Sequence, residues 1–366
     1  MHGEVPFTLQ RYCPKNQNNG DNGDNSTDFF TLNNLFTENL RTKKLNNYLF
    51  KHANRMSYRH LAENLSEVAR LTTTAAGLAR MVVKEAKTIS ATNAAAIAIT
   101  AAQPALNIAA AGNIDIYAPA ETSKSQEINL FYDAICVKKQ CPFRNDNPEY
   151  EQLLKTKHQL LKRVNTNVAV LQLPDNQFIK LTEGLSSKKS PAYATIDLVE
   201  HTLKAHYGKQ TAPLQIVAIT DGASSIRTDF ITKLSPNICI ILDWYHLIKK
   251  VRELMSMIAV NKTEKTIHIK LIYKLLWNGK TEDVLTYLQT INVKNQDVLA
   301  QLITYFTKHK DEIIDYERRK KAGRTIGSGR GEKANDQLIA RRQKKKGLAW
   351  SDYGSKALAI IATKYA

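Results

Sequence analysis

The stretch QIVAITDGASSIRTDFITKLSPNICIILDWYHLIKK, residues 215–250, decides how the chain folds. It holds two short apolar runs, Ile216-Val217-Ala218-Ile219 and Ile238-Cys239-Ile240-Ile241-Leu242. Both are rich in β-branched residues and too short for helices, so both read as buried strands. Each run ends at an aspartate, Asp221 or Asp243, and a helical pattern follows each, over 225–234 and 244–257. Strand, aspartate, helix, repeated twice, is the grammar of an α/β fold with a parallel sheet, whose site lies at the C-terminal ends of the strands. An aspartate in that place either reaches a divalent metal at the rim or caps the next helix. Both readings stay open for Asp243, which stands directly before a helix. Gly222 behind Asp221 marks a tight turn.

Upstream, residues 127–137, EINLFYDAICV, read as an apolar strand with one acid inside it, Asp133. A charge within a buried strand is costly unless it is paired or metal-bound. Residues 164–173 and 177–181 flank Pro174-Asp175-Asn176, the pattern of a β-hairpin with its turn at PDN. Residues 192–207 read as a helix. Three strands that can pair as a meander, then helix, strand, helix, strand, helix, is the order of the ribonuclease-H-like fold. That fold carries one carboxylate near the centre of its first strand and another at the end of its fourth. Asp133 and Asp221 take those places.

Downstream, residues 262–319 are helical by period and read as an all-helical insertion. Gly327-Ser328-Gly329-Arg330-Gly331-Glu332 is a flexible, phosphate-friendly turn, and a helix is expected over 332–346. Glu332 opens that helix, and Arg341, Arg342, Lys344, Lys345 and Lys346 follow along it. A carboxylate on the first turn with a basic tract behind it suits a metal site beside a DNA backbone. The plainer reading of Glu332 is a first-turn glutamate favoured by the helix dipole. A last helix begins at Trp350-Ser351.

The N-terminal part reads differently. Residues 1–28 are polar and turn-rich, the composition of a disordered tail. Residues 29–89 read as helical. Within them, 56–87 give two helical faces, Leu61, Leu65 and Val68, then Leu78, Met81 and Val82, with a break at Leu71-Thr72. The pair suits a helix-turn-helix with Arg80, Lys84 and Thr72-Thr73-Thr74 facing DNA, or an ordinary helical hairpin with solvated charges. Residues 90–126 are Ala-rich, interrupted by Pro104, Gly112 and Pro119, and read as a linker with a weak helix. The expected units are therefore 1–28, 29–89, 90–126, a core over 127–260, the insertion 261–322, and the closing core helices 323–366.

The chain's 366 residues suffice for two or three domains. Its 52 Lys and Arg against 34 Asp and Glu leave a formal charge of +18, which calls for a polyanionic partner, nucleic acid first. An anionic membrane would need an anchor. The best candidate span, 94–111, is mostly alanine and is broken by Thr100, Gln103, Pro104 and Asn107. The opening MHGEVPFTLQRY lacks the apolar core of a secretory signal. Cys13, Cys136, Cys141 and Cys239 have neither a zinc spacing nor a disulfide framework and read as reduced thiols of a cytoplasmic protein.

Four stretches together carry a family resemblance: LFYDAICVKKQ (130–140), AITDGASSIR (218–227), ILDWYHLIKKVRELMSMIA (241–259) and TIGSGRGEKANDQLIARRQKKKGLAWSDYGSKALA (325–359). In this order the chain, from about residue 127 to its end, resembles the DDE transposases of bacterial insertion sequences related to Mutator-like elements. The resemblance implies Asp133, Asp221 and Glu332 as the catalytic, metal-binding acids, holding two Mg²⁺ or Mn²⁺ ions. Asp243 and His246 match an aspartate-or-cysteine, two residues, histidine signature and are expected to support the site. It further implies cleavage and joining of double-stranded DNA at element ends and in the target. A homodimer or larger assembly on DNA at the bacterial nucleoid would do this work. The basic residues Arg341, Arg342, Lys344 and Lys345 are then expected to contact DNA beside Arg80 and Lys84. Two alternatives keep the same fold: a nuclease that cuts without joining, and a catalytically dead, transposase-derived DNA-binding protein.

Overall fold

The computed structural model describes residues 11–12, 27–28, 43–69, 71–120, 127–140, 163–185, 192–345 and 347–365. The expected disordered tail lies mostly outside these residues, as do Cys13, Cys141 and Lys346. Within the tail, Arg11–Tyr12 pairs antiparallel with Thr27–Asp28.

The centre is a five-stranded mixed sheet. Its strands are β1 (Glu127–Lys138), β2 (Arg163–Gln172), β3 (Phe178–Thr182), β4 (Gln215–Thr220) and β5 (Cys239–Leu242), in the order β3-β2-β1-β4-β5. β1, β2 and β3 pair as an antiparallel meander, whereas β1 with β4 and β4 with β5 are parallel. The β2–β3 turn falls at the expected PDN. Asn176 takes a positive φ of 62° there, and Asp175 Oδ1 accepts from the Gln177 N–H at 3.0 Å. Asn is among the few residues that tolerate that backbone, and Asx side chains close such turns.

β1 and β4 are nearly continuous apolar runs because both their faces are covered. Phe131, Val217 and Ile219 face one hydrophobic core, and Leu130, Tyr132, Ile216 and Ala218 face the other. α4 (Thr195–Tyr207) and α5 (Ser224–Asp229), with one π turn to Leu234, cover the second face. α6 (Trp244–Ile258) covers the first, burying Leu247, Val251 and Met255 at helical spacing.

Among the described residues three α-helices precede the sheet: α1 (Lys43–Ala53), α2 (Tyr58–Ala69) and α3 (Ala75–Ala101). The break between α2 and α3 lies where the sequence places it, and Thr74 caps α3 by accepting from the Gly77 N–H at 3.0 Å. Val68, expected to point inward with Leu61 and Leu65, is 77% exposed. The boundary expected at residue 90 falls inside α3, which runs on through the alanines to Ala101. Polar bonds hold this half of α3 to the rest of the chain. Ser90 Oγ accepts from the Leu185 N–H at 2.8 Å, Asn93 Nδ2 donates to Tyr193 OH at 2.9 Å, and Lys204 Nζ donates to the Thr100 carbonyl at 3.3 Å. Alanine's helix propensity carries the helix and its small side chain lets α4 come close.

The insertion is helical as expected: α7 (Lys262–Trp277), α8 (Thr281–Leu288), α9 (Gln296–Lys308) and α10 (Tyr316–Lys321). Its return is locked by a fully buried arginine. Arg319 donates through Nη2 to Glu127 Oε1 at 2.8 Å, through Nη1 to the Ile116 carbonyl at 2.8 Å, and through Nε to the Thr325 carbonyl at 2.7 Å. Arg324 Nη1 lies 3.4 Å from Glu127 Oε2. The start of β1 is thus tied to the chain entering the last segment, α11 (Gly329–Asn335, continuing as a π turn over Asp336–Ala340 and a helical turn over Arg341–Gln343) and α12 (Asp352–Tyr365). The C-terminal α12 shares one core with the N-terminal helices: Leu358 and Ile361 pack among Leu49, Phe50, Leu61, Leu78 and Val82. No helix among the described residues is long and apolar enough to cross a membrane.

Arg319→Met leaves the buried Glu127 carboxylate stranded but for Arg324 at 3.4 Å and is expected to cost about 3 kcal/mol in denaturant unfolding. Adding Glu127→Met removes that stranded charge, so the double variant should regain part of the loss; a double variant less stable than the single would show that the pair is not the cause.

Candidate active site

Register brings the first two acids together. Phe131 of β1 pairs with Ile219 of β4 in parallel, and Asp133 and Asp221 each stand two residues further on. A strand repeats its facing every second residue, so Asp133 shares the face of Phe131. Asp221 is exposed just past the end of β4, where its Oδ1 accepts from the Ala223 N–H at 2.9 Å. Gly222 has φ +87°, and a Cβ there would come within 2.9 Å of His309 Cε1 and Leu242 Cδ1. Backbone and space alike therefore demand glycine behind this aspartate.

Glu332 arrives by a close helix–strand approach. α11 lies on β1 with buried Gly331 against Phe131, where a Cβ would stand 3.1 Å from the Phe131 Cβ. One turn on, Asn335 Nδ2 donates to Asp133 Oδ2 at 2.7 Å. Glu332 lies on the exposed side of the same turn. Burial pushes the Asp133 carboxyl above its usual range and the negative charges of Asp221 and Glu332 push the same way, while the Ala134 N–H and His246 oppose them.

Asp243 is buried at the junction of these parts. Its N–H donates to the carbonyl of Thr220 at 2.7 Å, one residue before Asp221. Oδ1 caps α6 by accepting from the His246 N–H at 2.8 Å, and Oδ2 accepts from the Ser328 N–H, four residues before Glu332. Burial alone would raise its pKa, but these donors outweigh it and hold the carboxyl below its usual range. The His246 ring is half-exposed, with Nδ1 3.2 Å from Asp243 Oδ1. That ring nitrogen is off the line of a formed hydrogen bond, so the contact is electrostatic. Asp243 raises the imidazole pKa against the effect of burial, and Asp221 and Glu332 add to the rise.

Sequence reasoning missed the support behind Asp221. The insertion contributes His309 and Glu312, both buried, with His309 Nδ1 2.6 Å from Glu312 Oε2. Arg227 of α5 pairs with Glu312, and the His309 ring lies against Gly222. No local pattern marks these residues, because the insertion's folding back onto β4 is what assembles them. Asn335 was equally silent.

The expected DNA contacts divide. Arg341 is exposed with Asp336 3.5 Å away, and Lys344 and Lys345 are exposed. Arg342 is a correction: it is buried, its guanidinium 4.8 Å from the Trp350 ring centroid and its Nε 3.4 Å from the Ala53 carbonyl. The helix turns that residue toward α1, where it fastens α11 to the N-terminal helices. Arg80 is exposed, and with Lys84 it borders a shallow cleft on α3 beside Ala79, Val83 and Lys87. Cys136 and Cys239 are free thiols.

Three carboxylates offering hard oxygen donors, one of them raised in pKa by burial and then by the charges of the other two, fit a divalent cation in charge and chemistry. Among the described residues, no three His, Cys, Asp or Glu side chains stand close enough together to chelate one ion. Exposed Asp221 and Glu332 are the ones with freedom to close that gap. No family model matches the chain, and no curated protein does.

Asp243→Ala removes a helix cap and leaves the Ser328 N–H without its acceptor, each worth about 1 kcal/mol or more, so a combined loss of about 2–4 kcal/mol is expected by denaturant unfolding. Asp243→Asn keeps an acceptor oxygen and should retain at least half of that stability. Asp133→Asn makes a second case. A raised folded-state pKa means that ionised Asp133 destabilises the fold above its ordinary range, and that this cost is relieved as pH falls through the raised value. The variant should therefore melt at or above wild type at neutral pH in cation-free buffer, with the difference closing in acid. A variant that melts lower at neutral pH and keeps that deficit in acid would contradict the repulsion.

Proposed function

We propose that the chain is the transposase of a bacterial insertion sequence, a DDE enzyme with a ribonuclease-H-like core and a helix-turn-helix at its N-terminal end. One observation carries this reading. In a sheet of order β3-β2-β1-β4-β5, an acid inside β1, an acid at the end of β4 and an acid on a helix laid across β1 interact electrostatically. The +18 charge and the exposed Arg341 in the last turn of that helix, with Lys344 and Lys345 just past its end, support a DNA substrate.

In this reading Asp133, Asp221 and Glu332 hold two Mg²⁺ or Mn²⁺ ions. When bound, such ions activate a water or a DNA 3′-hydroxyl and stabilise the departing 3′ oxygen. The protein's own part is positioning. Asn335 orients the Asp133 carboxylate, the Gly222 turn presents Asp221, and Asp243 holds the loop that delivers Glu332. His246, its pKa raised first by Asp243 and then by Asp221 and Glu332, offers a ring N–H to a phosphate oxygen. α2 and α3 serve the element ends through Arg80 and Lys84, and a dimer or larger assembly pairs two ends.

The test is a plasmid carrying candidate element ends, incubated with Mg²⁺ or Mn²⁺ and assayed for nicking and for strand joining. Asp221→Asn and Glu332→Gln should each lower both by at least about 10³-fold while DNA affinity stays within about twofold. Full cleavage by either variant removes that acid from the mechanism. Cleavage without joining would make the protein a nuclease, and DNA binding with neither activity would make it a DNA-binding protein on a silent fold.

A further inference from the structure

Away from the three acids, a cavity of about 170 Å³ opens where three separate parts of the chain meet. Lys51 comes from the last turn of α1, Asn54 and Arg55 from the turn that follows it, Lys180 from the edge strand β3, and Gln337 and Arg341 from the continuation of α11. Among these six, the described residues that line it, four are cations and none is an acid. Lys51, Arg55 and Arg341 are exposed, and Lys180 is half-buried with Nζ donating to Gln337 Oε1 at 2.7 Å. Arg341 pairs with Asp336, an exposed contact at 3.5 Å that neutralises little. The carbonyls at the end of α1 do not compete for the cations. His52 O accepts from the N–H groups of Arg55 and Met56, and Ala53 O accepts from Arg342 Nε.

Two neighbours register the unbalanced positive charge. The Lys180 ammonium is pushed down by burial and then by Lys333, and the His52 imidazole by burial and then by Arg55 and Lys51. Cations gathered from three elements around one hollow, with no acid among the described residues that line it, make the hollow electropositive and attractive to an anion. The hollow holds about five or six waters' volume, so a phosphate group enters it but a duplex does not. Arg341 stands about 14 Å along its helix from Glu332, at 1.5 Å per residue. A polynucleotide resting one phosphate in the hollow passes the acids with its neighbouring nucleotides.

We propose that this cavity is a phosphate site that takes one backbone phosphate of bound DNA, gripped jointly by the N-terminal helices and the sheet. It rests on the nucleic-acid reading above but on none of the catalytic acids. Its consequence is that DNA binding braces α1 against β3 and α11, so the end-binding part and the cutting part are held in one register.

The experiment uses the full chain, a mixed-sequence DNA duplex of about 30 base pairs, and affinity measured over a range of salt. Arg55→Gln and Lys180→Gln are the variants; Arg55 is exposed, so its loss leaves the fold intact. Lys270→Gln, exposed on α7, controls for the loss of any one surface charge. Each cavity variant should lower the slope of log affinity against log salt by about 0.9, roughly an eightfold loss at about 0.1 M salt. Because both cations grip one phosphate, the double variant should lose no more slope than either single. An unchanged slope in both, or a double variant that loses twice the slope, overturns the shared site while leaving DNA binding in place. A wild-type chain without salt-dependent DNA binding overturns the nucleic-acid reading itself. Inorganic phosphate is the last probe: if it raises the melting temperature of wild type but not of the variants, while the DNA slope is the same in all, the cavity serves a free anion and the proposal fails.

Discussion

A single buried carboxylate, Asp243, joins the parts on which the site depends. Its main chain continues the β4 edge through Thr220, its Oδ1 starts α6, and its Oδ2 holds the Ser328 N–H in the loop before α11. A buried charge is tolerated only when its lone pairs are filled, and here backbone donors fill them. The positions of Asp221 and Glu332, 111 residues apart in sequence (332 − 221), are therefore linked through one residue, by its main chain on the Asp221 side and its carboxylate on the Glu332 side. The constraint is electrostatic as well as geometric, since the same oxygen that caps α6 sits 3.2 Å from the His246 ring and keeps it inclined to carry charge beside three acids.

Close backbone approach is the second theme. Gly331 lets α11 rest directly on Phe131, and Gly222 leaves room for the His309 ring under the Asp221 turn. Each glycine trades conformational entropy for contact at a place where a side chain would push an acid away. The insertion is part of this support, since His309, Glu312 and the fully buried Arg319 all belong to it. Tyr316 adds a hydroxyl that donates to the Leu242 carbonyl at 2.8 Å, at the end of β5. A segment that looks like a detachable helical block therefore forms the back wall of the site and the clasp on β1.

The N-terminal helices are built into the body in the same way. α12 supplies Leu358 and Ile361 to their core, and Arg342 crosses to Ala53 between the Trp350 and Tyr58 rings. A helical pair of this kind, lacking a core closed upon itself, depends on the chain's far end for stability.

Local pattern in the sequence determined a good deal: the five strands, the PDN hairpin turn, the helices after Asp221 and Asp243, and the break between α2 and α3. These follow from short-range physics, the period of apolar residues and the backbone preferences of Gly, Pro and Asn. The same reasoning singled out Asp133, Asp221, Asp243 and Glu332 by their places relative to those elements, and the family resemblance added His246. It went astray where partners are distant in sequence. Val68 has a helical face but no neighbour to cover it, Arg342 belongs to a basic tract but meets an aromatic ring, and the alanines of 90–101 look like a linker but lie along α4. Tertiary structure alone decided the pairing of Arg319 with Glu127, the gathering of His309 and Glu312 behind Gly222, and the meeting of Lys51, Arg55, Lys180 and Arg341 around one cavity. Charge and hydrogen bonding act through space, so residues far apart in the chain carry no mark of each other until the fold brings them within a few ångströms.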